Sequence, residues 1–359
     1  MTKHVDVRDP ENIRPALMSQ SLSVNRIGDL YNGLDRQFGV PLDAFHDYVA
    51  HSIFFSEGET HKTLKRAASM ASRTSLLNTR VDYRAIAGSI AASLPTGSPV
   101  NLAEAYSAAF VNRVVVEAYG LNPQALDDYD RWRNNLEYLL SELPPWRQVK
   151  QFNTSAAELH ASLEDWFSRE QGRHLRASSL AEACEGLSLS ETAYVGAALL
   201  LGGIATSYTL SNALHLVLSD AGRFADWKAA FAEDAALAAR KMVGVCSAVA
   251  SVTRLCVDEV EIGTHRFDRG DRVRIHLTPE ITPAAACPHA AKASHVGFGI
   301  GRHKCVGEML AYEIIAAGLP VFFEQFTHCE LDAEAVVRDQ SHPLARLKTL
   351  PVVLGRADD

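Results

Sequence analysis

The sequence is short of several things, and each shortage narrows what the chain does. It has only six cysteines in 359 residues, and no two form a C-x-x-C pair. In a long chain with no secretion signal, that usage reads as free thiols in a reducing cytoplasm, not as a disulfide framework. Lys and Arg number 35 against 43 Asp and Glu, a formal net charge of -8. A nucleic-acid binder would carry a basic face, so that partner is excluded. The sequence shows no uninterrupted run of 18 apolar residues, which argues against a membrane span. Met1 to Glu11 is polar and charged, without the apolar stretch of a signal peptide. A cytoplasmic location is therefore expected. Repeats, low-complexity linkers and composition breaks are also missing, so residues 1–359 read as a single domain.

What is present is enough apolar residue, 47% of the chain, to bury a substantial core. Most of it falls at helical spacing. Asn101 to Tyr119 reads as a helix stopped by Gly120, Gln124 to Leu140 as an amphipathic one closed by Pro144-Pro145, and Ala156 to Gln171 as a third. Ser188 and Glu191 have capping-box spacing ahead of Ser188 to Leu218. From Tyr194 to Ile204 that segment is apolar nearly all round, as a helix inside a protein would be. From Thr206 to Asn212 it turns polar, so those groups need partners or line a cavity. Strand signals come late. Val257 to His265 and Arg266 to Leu277 read as a hairpin, and Leu347 to Leu354 as a further strand. The expected fold class is mainly α with small β elements.

Five of the cysteines read as small core residues. Cys305 differs. His295 to Gly307 is HVGFGIGRHKCVG, with Phe298, Gly301, Cys305 and Gly307 at spacing F-x-x-G-x-x-x-C-x-G. A thiolate metal ligand must have its charge stabilised or it protonates and leaves. Glycines let backbone amides approach the sulfur. A helix opening near Cys305 adds its positive dipole end, and Arg302, His303 and Lys304 make the loop electropositive. Phe298 can exclude water. The plain alternative is a buried cysteine in a glycine-rich turn. A Rossmann phosphate loop does not fit, because no βαβ unit surrounds the glycines.

These residues resemble the cytochrome P450 family, in its soluble bacterial form, over about residues 5 to 355. The resemblance implies a P450-like fold around one haem-binding domain, haem b as cofactor, and Cys305 as the iron ligand. Phe298, Gly299 and Gly307 would shape the loop against the cofactor. Glu59 to Arg66 is similar to the segment opening the family's C helix, where His61 and Lys65 match propionate-binding positions on one helix face. Alone, they would also suit a solvated basic helix. Arg254, in Val252-Thr253-Arg254, and His303 match two further propionate positions. Leu199 to Ser207 resembles the centre of the long I helix, with Thr206 on the alcohol that helps deliver protons to oxygen.

The sequence departs from the family at four places. Ala205 stands where an acid usually precedes the threonine. Leu237 replaces the Glu of the K-helix Glu-x-x-Arg, leaving Arg240 to find another partner, with Glu233 and Asp234 as candidates. Leu277 to His295 is short and lacks the usual aromatic and proline pattern. Val7 to Leu17 already resembles the B-helix region, so the first helix and part of the N-terminal sheet are expected to be missing. An open site, a large substrate or a partner chain covering that side would each fit. Two functions follow. One is a monooxygenase or oxidative tailoring enzyme acting on a small molecule, a secondary metabolite, with electrons from a ferredoxin and its reductase. Lys62, Lys65, Arg66, Arg302 and Lys304 would then form a basic docking face, or simply a solvated charged one. The other is an atypical haem-thiolate protein that uses peroxide, runs a redox-neutral reaction, or serves as a non-catalytic haem-binding subunit.

Overall fold

The computed structural model describes residues 3–24, 31, 33–77, 81–140, 144–170, 179–278, 287–339 and 344–356. The chain folds mainly as helices, with four small sheets. In chain order the helices are α1 (Pro10–Met18), α2 (Leu34–Phe38), α3 (Asp43–His51), α4 (Gly58–Leu77), α5 (Tyr83–Ser93), α6 (Ala109–Tyr119), α7 (Leu126–Leu136), α8 (Trp146–Glu170), α9 (Ser179–Ala183), α10 (Leu189–Leu218), α11 (Ala221–Glu233), α12 (Ala235–Cys246) and α13 (Glu308–Gln325).

The architecture is built around α10. Its start is the expected capping box: Ser188 Oγ accepts the Glu191 N–H at 3.2 Å, and the Glu191 carboxylate accepts the Ser188 N–H at 2.8 Å. Thr192 to Leu201 is buried without interruption. Helix α6 packs so closely that a Cβ on Gly203 would lie 3.0 Å from Val115 Cγ2. By length and composition α10 could cross a membrane, but 78% of its most apolar stretch is buried inside the protein, as in a core helix. The other helix readings hold with shifted ends. A π-helical turn over Ala103–Ala108 leads into α6, which stops at Gly120 in the left-handed region (φ 67°). Helix α8 starts ten residues before Ala156, and the expected end at Gln171 lies outside the described residues.

The expected late hairpin is corrected. The strands are β1 (His4–Val7), β2 (Leu22–Val24), β3 (Pro99–Asn101), β4 (Ser251–Cys256), β5 (Val260–Ile262), β6 (His265–Phe267), β7 (Arg272–His276), β8 (His328–Leu331), β9 (Val337–Arg338), β10 (Leu347–Thr349) and β11 (Pro351–Gly355). Within this stretch β5 and β6 form a local hairpin around Gly263. Strand β7 pairs instead with β4, placing Arg254 opposite Val273. The reason is burial: Val273 and Ile275 sit at 0% exposure in a second core with Leu17 and Leu22, which the short hairpin could not supply. The resulting sheet runs β1-β7-β4-β2, with β1 parallel to β7. The Leu347 to Leu354 region divides into β10 and β11, which join different sheets.

Candidate active site

A cavity of about 640 Å³ separates α10 from the loop before α13. Cys305 lines it on one side, and Gly202, Ala205, Thr206 and Thr209 line it on the other. Ile53, Phe54, Phe55, Leu139, Leu140, Val249 and Leu344 supply apolar wall. No Asp or Glu lines it among the described residues.

The cysteine loop folds as its glycines allow. Gly299 (φ 67°) and Gly301 (φ 72°) adopt left-handed conformations that other residues rarely take. The turn closes through the Gly299 N–H to Val296 O (2.8 Å), the Lys304 N–H to Gly301 O (3.1 Å) and the Cys305 N–H to Phe298 O (2.8 Å). Cys305 lies deep in the protein and is exposed into the cavity. Burial pushes its thiol pKa up, while the Gly307 N–H on the sulfur draws it back, helped by Lys65 and Lys304. Coordination to iron would deprotonate such a thiol outright.

Beside it stands a cluster of basic side chains. His61 and His303 rings are 4.2 Å apart. His61 Nε2 meets Arg302 O at 3.0 Å, and Lys65 Nζ donates to the same carbonyl. Arg254 donates to Thr253 O at 3.0 Å, and burial beside Arg302 pulls its pKa down to about 10. Burial, with His61, Arg254 and Arg302 nearby, takes His303 down to about 3. Glu57 is the one acid facing this group among the described residues, 3.5 Å from Arg302 and 4.0 Å from His303. His61 Nδ1 and His303 Nε2 are buried without any hydrogen-bond partner. Unpartnered buried polar atoms cost about 1–3 kcal/mol each, and with Lys65 and Arg254 beside them the site is shaped for a group bringing carboxylates. The two propionates of haem b would meet that need, and Cys305 would hold the iron.

The sequence-derived residues thus converge: His61, Lys65, Thr206, Arg254, Phe298, Gly299, His303, Cys305 and Gly307 all line one cavity. Thr206 is half-buried and lines the cavity. The next polar residue along this face, Thr209, is already committed, donating to Ala205 O at 2.7 Å and accepting the Ala248 N–H at 3.0 Å.

Two expectations change. Arg240 pairs with neither Glu233 nor Asp234. Asp234 caps α12 by accepting the Leu237 N–H at 2.9 Å, and the Arg240 guanidinium lies 5.4 Å from the Tyr312 ring centroid. The basic face is also partly neutralised within the chain: Lys62 pairs with Glu59, Lys304 with Glu308 (both 2.5 Å), and Arg302 with Glu57. Sequence reasoning missed one feature outright. Glu137, at 0% exposure, accepts from the Tyr208 hydroxyl and from Arg346 (2.6 Å), directly behind the wall formed by Leu139, Leu140 and Leu344. An acid on an amphipathic helix gives no sequence signal of burial.

Comparisons with known proteins agree with this fold. No family profile matches the chain. The plant-inducible cytochrome P450-pinF1 of Rhizobium radiobacter is 22% identical over 301 residues, covering 78% of this chain and 70% of that protein. Cytochrome P450 140 of Mycobacterium tuberculosis is 32% identical over 119 residues, but covers only 31% of this chain and 27% of that protein. Among solved structures, P450BioI in complex with an acyl carrier protein matches with a TM-score of 0.83 at 15% identity, over 97% of this chain and 91% of that one. The tirandamycin C-bound P450 monooxygenase TamI matches with 0.75 at 23% identity, over 98% and 89%. PksS of the Bacillus subtilis bacillaene polyketide synthase matches with 0.77 at 18% identity, over 98% and 90%.

The fold and the residues lining the cavity fit a bound haem. The fold is that of the cytochromes P450, and the curated proteins this chain is similar to carry that name.

Proposed function

We propose that this chain is an oxidative tailoring monooxygenase of the cytoplasm, acting on a small apolar molecule of secondary metabolism with electrons from a ferredoxin and its reductase. The observation that carries this is the cavity, which sets Cys305 opposite the Thr206 stretch of α10 between apolar walls. Solved relatives include one bound to tirandamycin C and one from a polyketide synthase, in keeping with a tailoring substrate.

Cys305 would ligate the iron, and His61, Lys65, Arg254 and His303 would hold the propionates. Bound haem supplies oxygen activation, which a thiolate ligand favours by donating electron density. The protein does the rest. Gly307 N–H steadies the sulfur, and Phe298 keeps water from it. Phe54, Phe55, Leu139, Leu140 and Leu344 exclude bulk water and orient an apolar substrate. Thr206 Oγ1 holds a proton donor on the oxygen side, with water taking the place of the acid that Ala205 lacks.

A second reading rests on Ala205 and on the carboxylate-free wall: a peroxide-driven, redox-neutral or non-catalytic haem protein. The test compares product from a compound that shifts the Soret band under ferredoxin, reductase and oxygen with product under peroxide alone. Turnover in the first system, with Thr206→Ala spending more electrons per product, supports the proposal. Product only with peroxide, or with neither system, supports the second reading.

A further inference from the structure

Glu308 and Tyr312 extend the cysteine loop into a polar network behind it. Glu308 opens α13, three residues past Cys305. Its Oε2 pairs with Lys304 Nζ at 2.5 Å, and its Oε1 accepts from Tyr312 OH at 3.4 Å. Tyr312 has one proton to give, so at 3.2 Å it accepts from His295 Nε2–H. That tautomer agrees with His295 Nδ1, which accepts the Gly297 N–H at 3.1 Å. The Tyr312 ring is fixed edge-on to Phe298 (5.2 Å) and beside the Arg240 guanidinium. Glu308 is therefore a carboxylate held from two sides, its side chain one-quarter exposed.

We propose that Glu308 is a fixed negative charge that holds down the reduction potential of the haem bound at Cys305, with Lys304 as its counter-charge and Tyr312 as its positioning residue. This rests on the haem-thiolate reading above. One-electron reduction of ferric iron adds negative charge next to the sulfur. A carboxylate three residues along the chain opposes it, and only partial solvent screening is available. Arg240 gains a role in the same stroke: with no K-helix Glu to clamp, it braces the ring that places Glu308.

The experiment is a mediated dithionite titration of the haem-loaded protein. Glu308→Gln raises the midpoint potential, a several-fold gain in the equilibrium constant for reduction. Lys304→Gln lowers it, the double variant falls between, and Glu308→Asp stays near wild type. A general loosening of the loop would move both single variants the same way, so opposite signs distinguish charge from structure. A Glu308→Gln potential equal to wild type, or shifted in the same direction as Lys304→Gln, overturns the proposal. The carbon monoxide band of each reduced variant is recorded alongside. A thiolate band with unmoved potentials sinks this inference alone, whereas its absence from the wild type sinks the haem-thiolate reading with it.

Discussion

Replacing Glu137 with Gln tests how the wall over the cavity is held. Glu137 has no solvent exposure, and both carboxylate oxygens are engaged, one by Arg346 at 2.6 Å and one by the Tyr208 hydroxyl. Breaking a buried ion pair from one side costs about 3–5 kcal/mol, because the remaining charge is left without a partner. Arg346 keeps a quarter of its side chain exposed and its guanidinium lies over the Tyr208 ring, so water and the ring soften the loss. The expected cost is at the low end, about 3 kcal/mol. Tyr208→Phe removes one hydrogen bond to a charged group and should cost about 1.5–3 kcal/mol. The two changes share a network, so the double variant should fall short of their sum by more than about 0.5 kcal/mol. Urea unfolding at fixed haem loading measures all three. Because Glu137 sits two and three residues before Leu139 and Leu140, Glu137→Gln should also weaken substrate binding, read as a smaller Soret shift at equal concentration. The reasoning fails if Glu137→Gln unfolds within about 0.5 kcal/mol of wild type, the range of an ordinary surface change.

Two more outcomes follow from the packing and the cofactor site. A Cβ on Gly318 would lie 2.8 Å from Cε1 of Phe110, itself at 0% exposure, so Gly318→Ala should destabilise by about 1–3 kcal/mol in the same unfolding assay. Arg254→Gln removes a buried cation from the cluster around His61 and His303, so haem should transfer to apomyoglobin several-fold faster than from the wild type.

The parts legible in the sequence are those written locally. The cysteine loop could be read because its backbone needs glycine at 299 and 301, and the sulfur must lie a fixed number of residues beyond them. The α10 start was legible because Ser188 and Glu191 cap each other across one turn. What escaped was set by distant partners. The β4–β7 pairing joins strands separated by a small hairpin, and local turn signals favoured the nearer partner. Arg240 was expected to pair with acids close in sequence, but it meets Tyr312, 72 positions on, because the two helices pack together. Glu137 looked like any acid on a polar helix face, and its partners Tyr208 and Arg346 come from two other parts of the chain.

The most direct test of the account is the absorption spectrum of the reduced protein with carbon monoxide. The wild type should absorb near the wavelength typical of thiolate-ligated haem, and Cys305→Ala should lose that band while keeping the helical content of the fold. Survival of the band without Cys305, or its absence from haem-loaded wild-type protein, would contradict the assignment of Cys305 as the iron ligand.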